Sequence, residues 1–151
     1  MVMVLYDRSY SHNTNRVPRF SLIHGSREAR HEAMAQIQLN LVVIRSDNIE
    51  KSAAFYQRLG LTFIKHQHGS GLEHFASEVG CTTFEIYPST PETVPTTATP
   101  LGFQVTSVDA VIRELEKHGA SIISHPSNSA WGRRAIVADP DGHRVDLTQP
   151  Q

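Results

Sequence analysis

Apolar and polar positions along this chain switch between two periods, and they do so twice in the same order. Residues 37–45 (Ile-Gln-Leu-Asn-Leu-Val-Val-Ile-Arg) open with alternation and close on a β-branched run, as a strand does when it becomes buried on both faces. Helical spacing follows, with Ile49, Ala53, Tyr56 and Leu59 on one side; Asp47 or Asn48 can cap this helix, Glu50 completes a capping box, and Gly60 ends it. Residues 61–68 and 72–77 flank Gly69-Ser70-Gly71, a hairpin signal that sets His66 opposite His74 with Cβ atoms about 5 Å apart. A turn at 78–80 leads to a strand at 82–87. The order then repeats: a strand at 101–106, a helix opening at Asp109 with Val111, Leu115 and His118 on one face and Gly119 closing it, and strands at 120–124, 131–139 and 143–148.

The repeat has a measurable offset. Glu85 lies between Phe84 and Ile86 as Asp146 lies between Val145 and Leu147, 61 residues on, and Asn48 and Asp109 share that separation. This predicts an α+β chain of two tandem βαβββ modules, residues 36–88 and 101–149, within one domain at 34–151. Four prolines and five threonines in residues 88–100 exclude a central strand or a helix there, so 89–100 is the linker. Residues 1–33 show neither period and are expected to form a flexible leader.

Composition narrows the partners. At 151 residues and a formal net charge of −1, with Arg133-Arg134 the one adjacent basic pair in the periodic region, the chain offers nucleic acid no extended basic track. Cys81 stands alone, which excludes an internal disulfide and suits a reducing cytoplasm. Nothing approaches the roughly 20 apolar residues of a spanning helix, so no membrane is expected.

Candidate chemistry centres on the repeated acids. Glu85 and Asp146, each on the polar side of a strand, form a carboxylate pair in which burial and like charge would let one act as a general base. His66 and His74 can face them from the hairpin. Trp131-Gly132-Arg133-Arg134, after a Ser127 to Ser129 stretch read as flexible, supplies an indole and guanidinium able to lid a pocket over an aromatic or anionic ligand.

Four stretches, Asn48-Ile49-Glu50-Lys51-Ser52-Ala53-Ala54-Phe55-Tyr56 with Gly60 after it, Phe84-Glu85-Ile86-Tyr87-Pro88, Val108-Asp109-Ala110 and Asp139-Pro140-Asp141-Gly142-His143-Arg144-Val145-Asp146-Leu147, resemble the vicinal oxygen chelate superfamily. That superfamily includes glyoxalase I, bleomycin-resistance and fosfomycin-resistance proteins and extradiol ring-cleaving dioxygenases; the likeness spans residues 36–149. It implies an open, cup-shaped mixed sheet. It also implies metal ligands at Glu85 and Asp146 on the last strands and at Leu41 and Phe103 on the first, where neither side chain can bind a metal. One divalent ion (Mn, Fe, Ni or Zn) would therefore rest on Glu85 and Asp146, with His74 as candidate third ligand. The implied pocket comprises Leu41, Phe103, His66, His74, Trp131 and Arg133. Two functions follow: a glyoxalase-like lyase or ring-cleaving dioxygenase using Glu85 and Asp146 as catalytic residues, or a metal-free, bleomycin-resistance-like protein that sequesters a small molecule. A homodimer is expected in either case.

Overall fold

A computed structural model describes residues 38–151 apart from Trp131. The expected leader at 1–33 and the proposed role of Trp131 lie outside the described residues. The first module runs β1 (Leu41–Ser46), α1 (Ile49–Arg58), β2 (Ile64–His66), β3 (His74–Val79) and β4 (Thr82–Pro88). The second runs β5 (Leu101–Gln104), α2 (Val108–Lys117), β6 (Ser121–Ser129), β7 (Gly132–Ala138) and β8 (Arg144–Gln149). Each module folds into its own four-stranded mixed sheet, in the orders β1-β4-β3-β2 and β5-β8-β7-β6, with the first strand parallel to the last and the other pairs antiparallel. Both sheets are open, and each places its acid-bearing strand second from one edge.

Local chemistry accounts for the helix ends. Asn48 caps α1, its side chain accepting from the Lys51 backbone N–H at 2.9 Å, with Glu50 in the first turn and Arg58 in the last. The cap of α2 is Ser107, which accepts from Ala110 N–H at 3.3 Å; Asp109 sits inside the first turn instead. The helix starts are thus 59 residues apart (107 − 48) while the acids are 61 apart (146 − 85). The single 61-residue offset does not extend to the helices. The stretch at Ser127 to Ser129 also differs from expectation: it belongs to β6, paired with Arg134, Arg133 and Gly132 of β7, because a register shift after Ser124 lets the strand continue past Pro126.

One side of each sheet carries the core. Ile44, Phe84 and Ile86 from the first module meet Leu101, Ala135, Val137, Val145 and Leu147 from the second, with Tyr56, Val108, Ile112 and Leu115 of the helices between them. Tyr56 is fully buried, its ring 5.0 Å from Phe84 and 5.9 Å from Phe103, while Phe84 and Phe103 lie 5.7 Å apart edge to face. Each such side chain contributes about 1.5–3 kcal/mol through burial. The aromatic cluster joins the two modules, and it corrects one expectation: Phe103 pairs with Leu147 and faces this core, while Gly102 is the residue beside Asp146.

The linker is also tied down. Thr96 Oγ1 accepts from the Arg45 N–H at 3.1 Å and bonds His143 Nε2 at 2.9 Å. Because Tyr56 donates its hydroxyl to the buried Asp139 at 2.9 Å, Tyr56→Phe removes a charge-assisted bond without opening a cavity. Urea unfolding of that variant is expected to show a loss of about 1–3 kcal/mol with an unchanged m-value; a loss within error would mean the bond is not a stabilising link.

Candidate functional site

Two polar constellations stand out, and they do different things. The first surrounds the Pro140-Asp141-Gly142 turn, where Gly142 at φ +96° closes the chain back onto the Asp139 carbonyl. Asp139, Asp141 and His143 each present a ligand atom within 4.8 Å of the others, a donor set that would suit a hard cation. Those atoms are already engaged. Asp139 Oδ1 accepts from the backbone N–H of Asp141 (3.0 Å) and His143 (2.8 Å), and Oδ2 from the Tyr56 hydroxyl and His143 Nδ1, both at 2.9 Å. Asp141 accepts from Asp47 N–H and the Ser52 hydroxyl, both at 2.9 Å, and His143 Nε2 meets Thr96. The cluster is a clamp that pins the last turn to α1 and the linker, with the four acceptor sites of Asp139 filled and each oxygen of Asp141 hydrogen-bonded once.

Its electrostatics confirm the role. Burial pushes the Asp139 carboxyl upward, but the hydrogen bonds from His143 and Tyr56 and the charge of His143 outweigh it and hold the group below its ordinary 3.8. Burial, reinforced by Asp139 and Asp141, drives the Tyr56 phenol far above its usual value, so it remains a donor throughout the accessible pH range.

The second constellation is the open side of the first sheet. Strand alternation on β4 puts Phe84 and Ile86 in the core and Thr83, Glu85 and Tyr87 on the opposite face. Register extends that face: Val43 and Ala76 flank Glu85, Leu41 flanks Thr83, Arg45 flanks Tyr87, and His66 pairs directly with His74. The pairing of Ala76 with Glu85 decides a question the sequence leaves open, because His74, two residues earlier, must then share the face of Glu85. His74 Nε2 lies 3.9 Å from Glu85 Oε1. The His74 ring stacks on Tyr87 at 4.1 Å and 9°, His66 and His68 sit 5.9 and 5.4 Å from it, and the Arg45 guanidinium lies 5.0 Å over Tyr87. Leu41 (45% exposed) and Val43 (37%) supply an apolar floor beside them.

Other expected site residues fall elsewhere. Asp146 does occupy the face of β8 opposite the core, but Arg134 takes both of its carboxylate oxygens, one at 2.7 Å. Held in that fork it is a poor base and a poor metal ligand, which corrects both roles expected for it. Arg133 points to the other side of β7 and forks Asp109 at the start of α2, so it lines no pocket with Asp146. Counting seven positions back from the true caps, Asn48 and Ser107, gives Leu41 and Pro100. Neither carries a donor, and with Asp146 engaged the metal position implied by the resemblance does not fit these residues. Two grooves among the described residues lie apart from this face, one of about 500 Å³ between the helices beside Lys51, Arg58 and His118, the other beside Arg133 and Gln149. Tyr87, Arg45 and His68 were the members sequence reasoning undervalued. The period of two that singles out Glu85 also places Tyr87 beside it.

Two βαβββ modules share one core here and leave the far face of each sheet open. The chain belongs to the Glyoxalase/Bleomycin resistance protein/Dioxygenase superfamily, which it matches over residues 38–147. It is 30% identical over 118 residues to an uncharacterized protein of Mycolicibacterium smegmatis, covering 78% of this chain and 97% of that one. Among solved structures it is similar to TnmS3, an antibiotic binding protein from Streptomyces sp. CB03234, at 26% identity and a TM-score of 0.65, covering 78% of this chain and 99% of that one. A glyoxalase/bleomycin resistance protein from the same organism follows at 25% identity and a TM-score of 0.61, with 74% and 100% covered. Among the described residues no helix is long and apolar enough to cross a membrane.

The clamp makes a pH-dependent prediction. A carboxyl held below its unfolded value contributes stability that is present above about pH 4 and lost as pH falls through the lower folded value. Urea midpoints measured from pH 7 to pH 2.5 should fall at the acid end, and Asp139→Asn, destabilised throughout, should show a shallower fall; parallel curves would remove Asp139 from the account.

Proposed function

We propose that this protein binds a small, flat, apolar molecule on the open face of the first sheet and acts by holding it, as an antibiotic-binding or bleomycin-resistance-like protein does. The observation that carries this reading is the composition of that face: solvent-exposed Leu41 and Val43 beside a nearly buried Glu85 and a preformed His74–Tyr87 stack, uncovered by any helix. Rigid aromatic walls and an apolar floor with few polar groups are what a ligand site of this kind needs. The similarity to TnmS3 supports the reading. It requires no metal at the positions of Leu41 and Pro100.

An open sheet face in one chain does not enclose a ligand, so the reading includes a homodimer in which a second copy walls the cup. The exposed Cys81 thiol suits a reducing cytoplasm. A second reading, catalysis by Glu85 as a base, is favoured by one observation: among the described residues its carboxylate accepts no hydrogen bond and lies 3.9 Å from His74 Nε2.

Titration with bleomycin and with planar aromatic dyes, followed by calorimetry or fluorescence, tests the binding reading. Val43→Asp places an unpaired charge on the floor and is expected to weaken binding at least about tenfold, roughly 1.4 kcal/mol, while leaving the fold intact. Unchanged affinity in that variant removes this face as the site. Sedimentation should give twice the chain mass; a monomer that still binds tightly overturns the shared cup. Turnover of methylglyoxal with glutathione, lost in Glu85→Gln, would instead favour catalysis.

A further inference from the structure

Three imidazoles meet at the rim of the first sheet, and two of them, His66 and His68, have no part in the ligand-holding face proposed above. His66 and His68 alternate along the β2 edge of the hairpin and His74 is the cross-strand partner of His66. Their ring centroids form a triangle of 5.4, 5.9 and 6.1 Å. Three imidazoles sharing one tetrahedral ion, with metal–nitrogen bonds of about 2.1 Å, have centroids about 5 Å apart. The rings lie 21°, 24° and 38° from parallel, so their nitrogens do not yet converge, and a ligand set forms by side-chain rotation of His66 and His68. His68 is exposed, His66 is half-buried, and neither ring is held by a hydrogen bond.

His74 supplies the anchor. It is 1% exposed, and its Nδ1 lies 3.2 Å from the Leu72 carbonyl, to which only an N–H can donate. In the neutral ring this leaves the lone pair on Nε2, and Nε2 is one of two buried side-chain polar atoms in the described chain without a hydrogen-bond partner. Backbone-oriented imidazole with its second nitrogen free is the usual arrangement of a metal-ligating histidine. Facing that nitrogen is Glu85, which accepts no hydrogen bond among the described residues. Two electron-rich groups confronting one another in a nearly buried site call for a cation between or beside them.

We infer that His66, His68 and His74 bind one divalent first-row transition ion, with Glu85 as the carboxylate on its inner side. Imidazole as the dominant donor selects zinc, copper or nickel over magnesium or calcium. The site shares His74 and Glu85 with the face proposed above to hold a ligand, yet its test, metal binding alone, does not depend on that reading; it shares no donor with the clamp around Asp139. Binding draws His66 and His68 inward and fastens the tip of the hairpin to the sheet.

The experiment is calorimetric titration of the chelator-stripped, untagged full-length chain with Zn²⁺, Ni²⁺ and Cu²⁺, each alone, with nitrogen hyperfine coupling in the Cu²⁺ electron paramagnetic resonance spectrum as a second readout. One ion per chain at about micromolar affinity or tighter is expected, retained in a His12→Ala/His24→Ala/His31→Ala variant. His66→Ala/His68→Ala, which alters only the rim, should weaken binding at least about tenfold and reduce the number of coupled nitrogens. Absence of binding at micromolar concentration, or affinity and spectra unchanged in the rim variant, overturns the assignment. Circular dichroism of the rim variant establishes that any loss is not unfolding.

Discussion

Four hydrogen-bond donors converge on the carboxylate of Asp139, and most of what joins the two modules passes through that group or its neighbours. Tyr56 reaches it from the first helix, His143 and the backbone from its own turn, and Thr96 continues the chain of contacts into the linker. An ionised carboxylate with no exposed surface is tolerable only when its lone pairs are filled, so the turn, the helix and the linker must arrive together. The aromatic contacts of Tyr56 with Phe84 and Phe103 then close the core from the same residue.

Fixing the helix sides of both sheets against each other turns their far sides outward. Strand alternation does the rest: the residues that flank each core position become the lining of an open face. On the first sheet that lining is chemically varied, with apolar Leu41 and Val43, acidic Glu85, and a column running from Arg45 through Tyr87 and His74 to the rim histidines. On the second sheet Arg134 has answered Asp146, and the face is electrostatically settled. Equivalent acids in a duplicated fold have thus acquired different environments. Of the two acids, Asp146 is held by Arg134, whereas Glu85 accepts no hydrogen bond among the described residues.

The Asp139 cluster and the Glu85–His74 pair also show why acidic groups near histidines need their hydrogen bonds traced before any chemistry is assigned. Every ligand atom of the cluster with the tighter donor spacing already has a hydrogen-bond partner, whereas the looser one holds the orphaned nitrogen. Proximity alone ranks them the wrong way round; counting lone pairs against donors reverses the order.

Sequence by itself determined the two modules and most of the element order, because hydrophobic period and turn chemistry are local properties written residue by residue. It located the Asn48 cap but placed the second cap at Asp109, two residues past Ser107, since serine and aspartate both cap well and only geometry selects between them. Phe103 reached the wrong face for a separate reason: it lies six residues before Asp109, one fewer than the seven between Leu41 and Asn48, and one residue reverses the face. Tertiary structure alone decided whether His74 shares a side with Glu85, whether Asp146 is free or answered by Arg134, and where Arg133 points. Each of these turns on strand register or on a partner distant in sequence, where a displacement of one residue reverses the outcome and no local pattern records the choice.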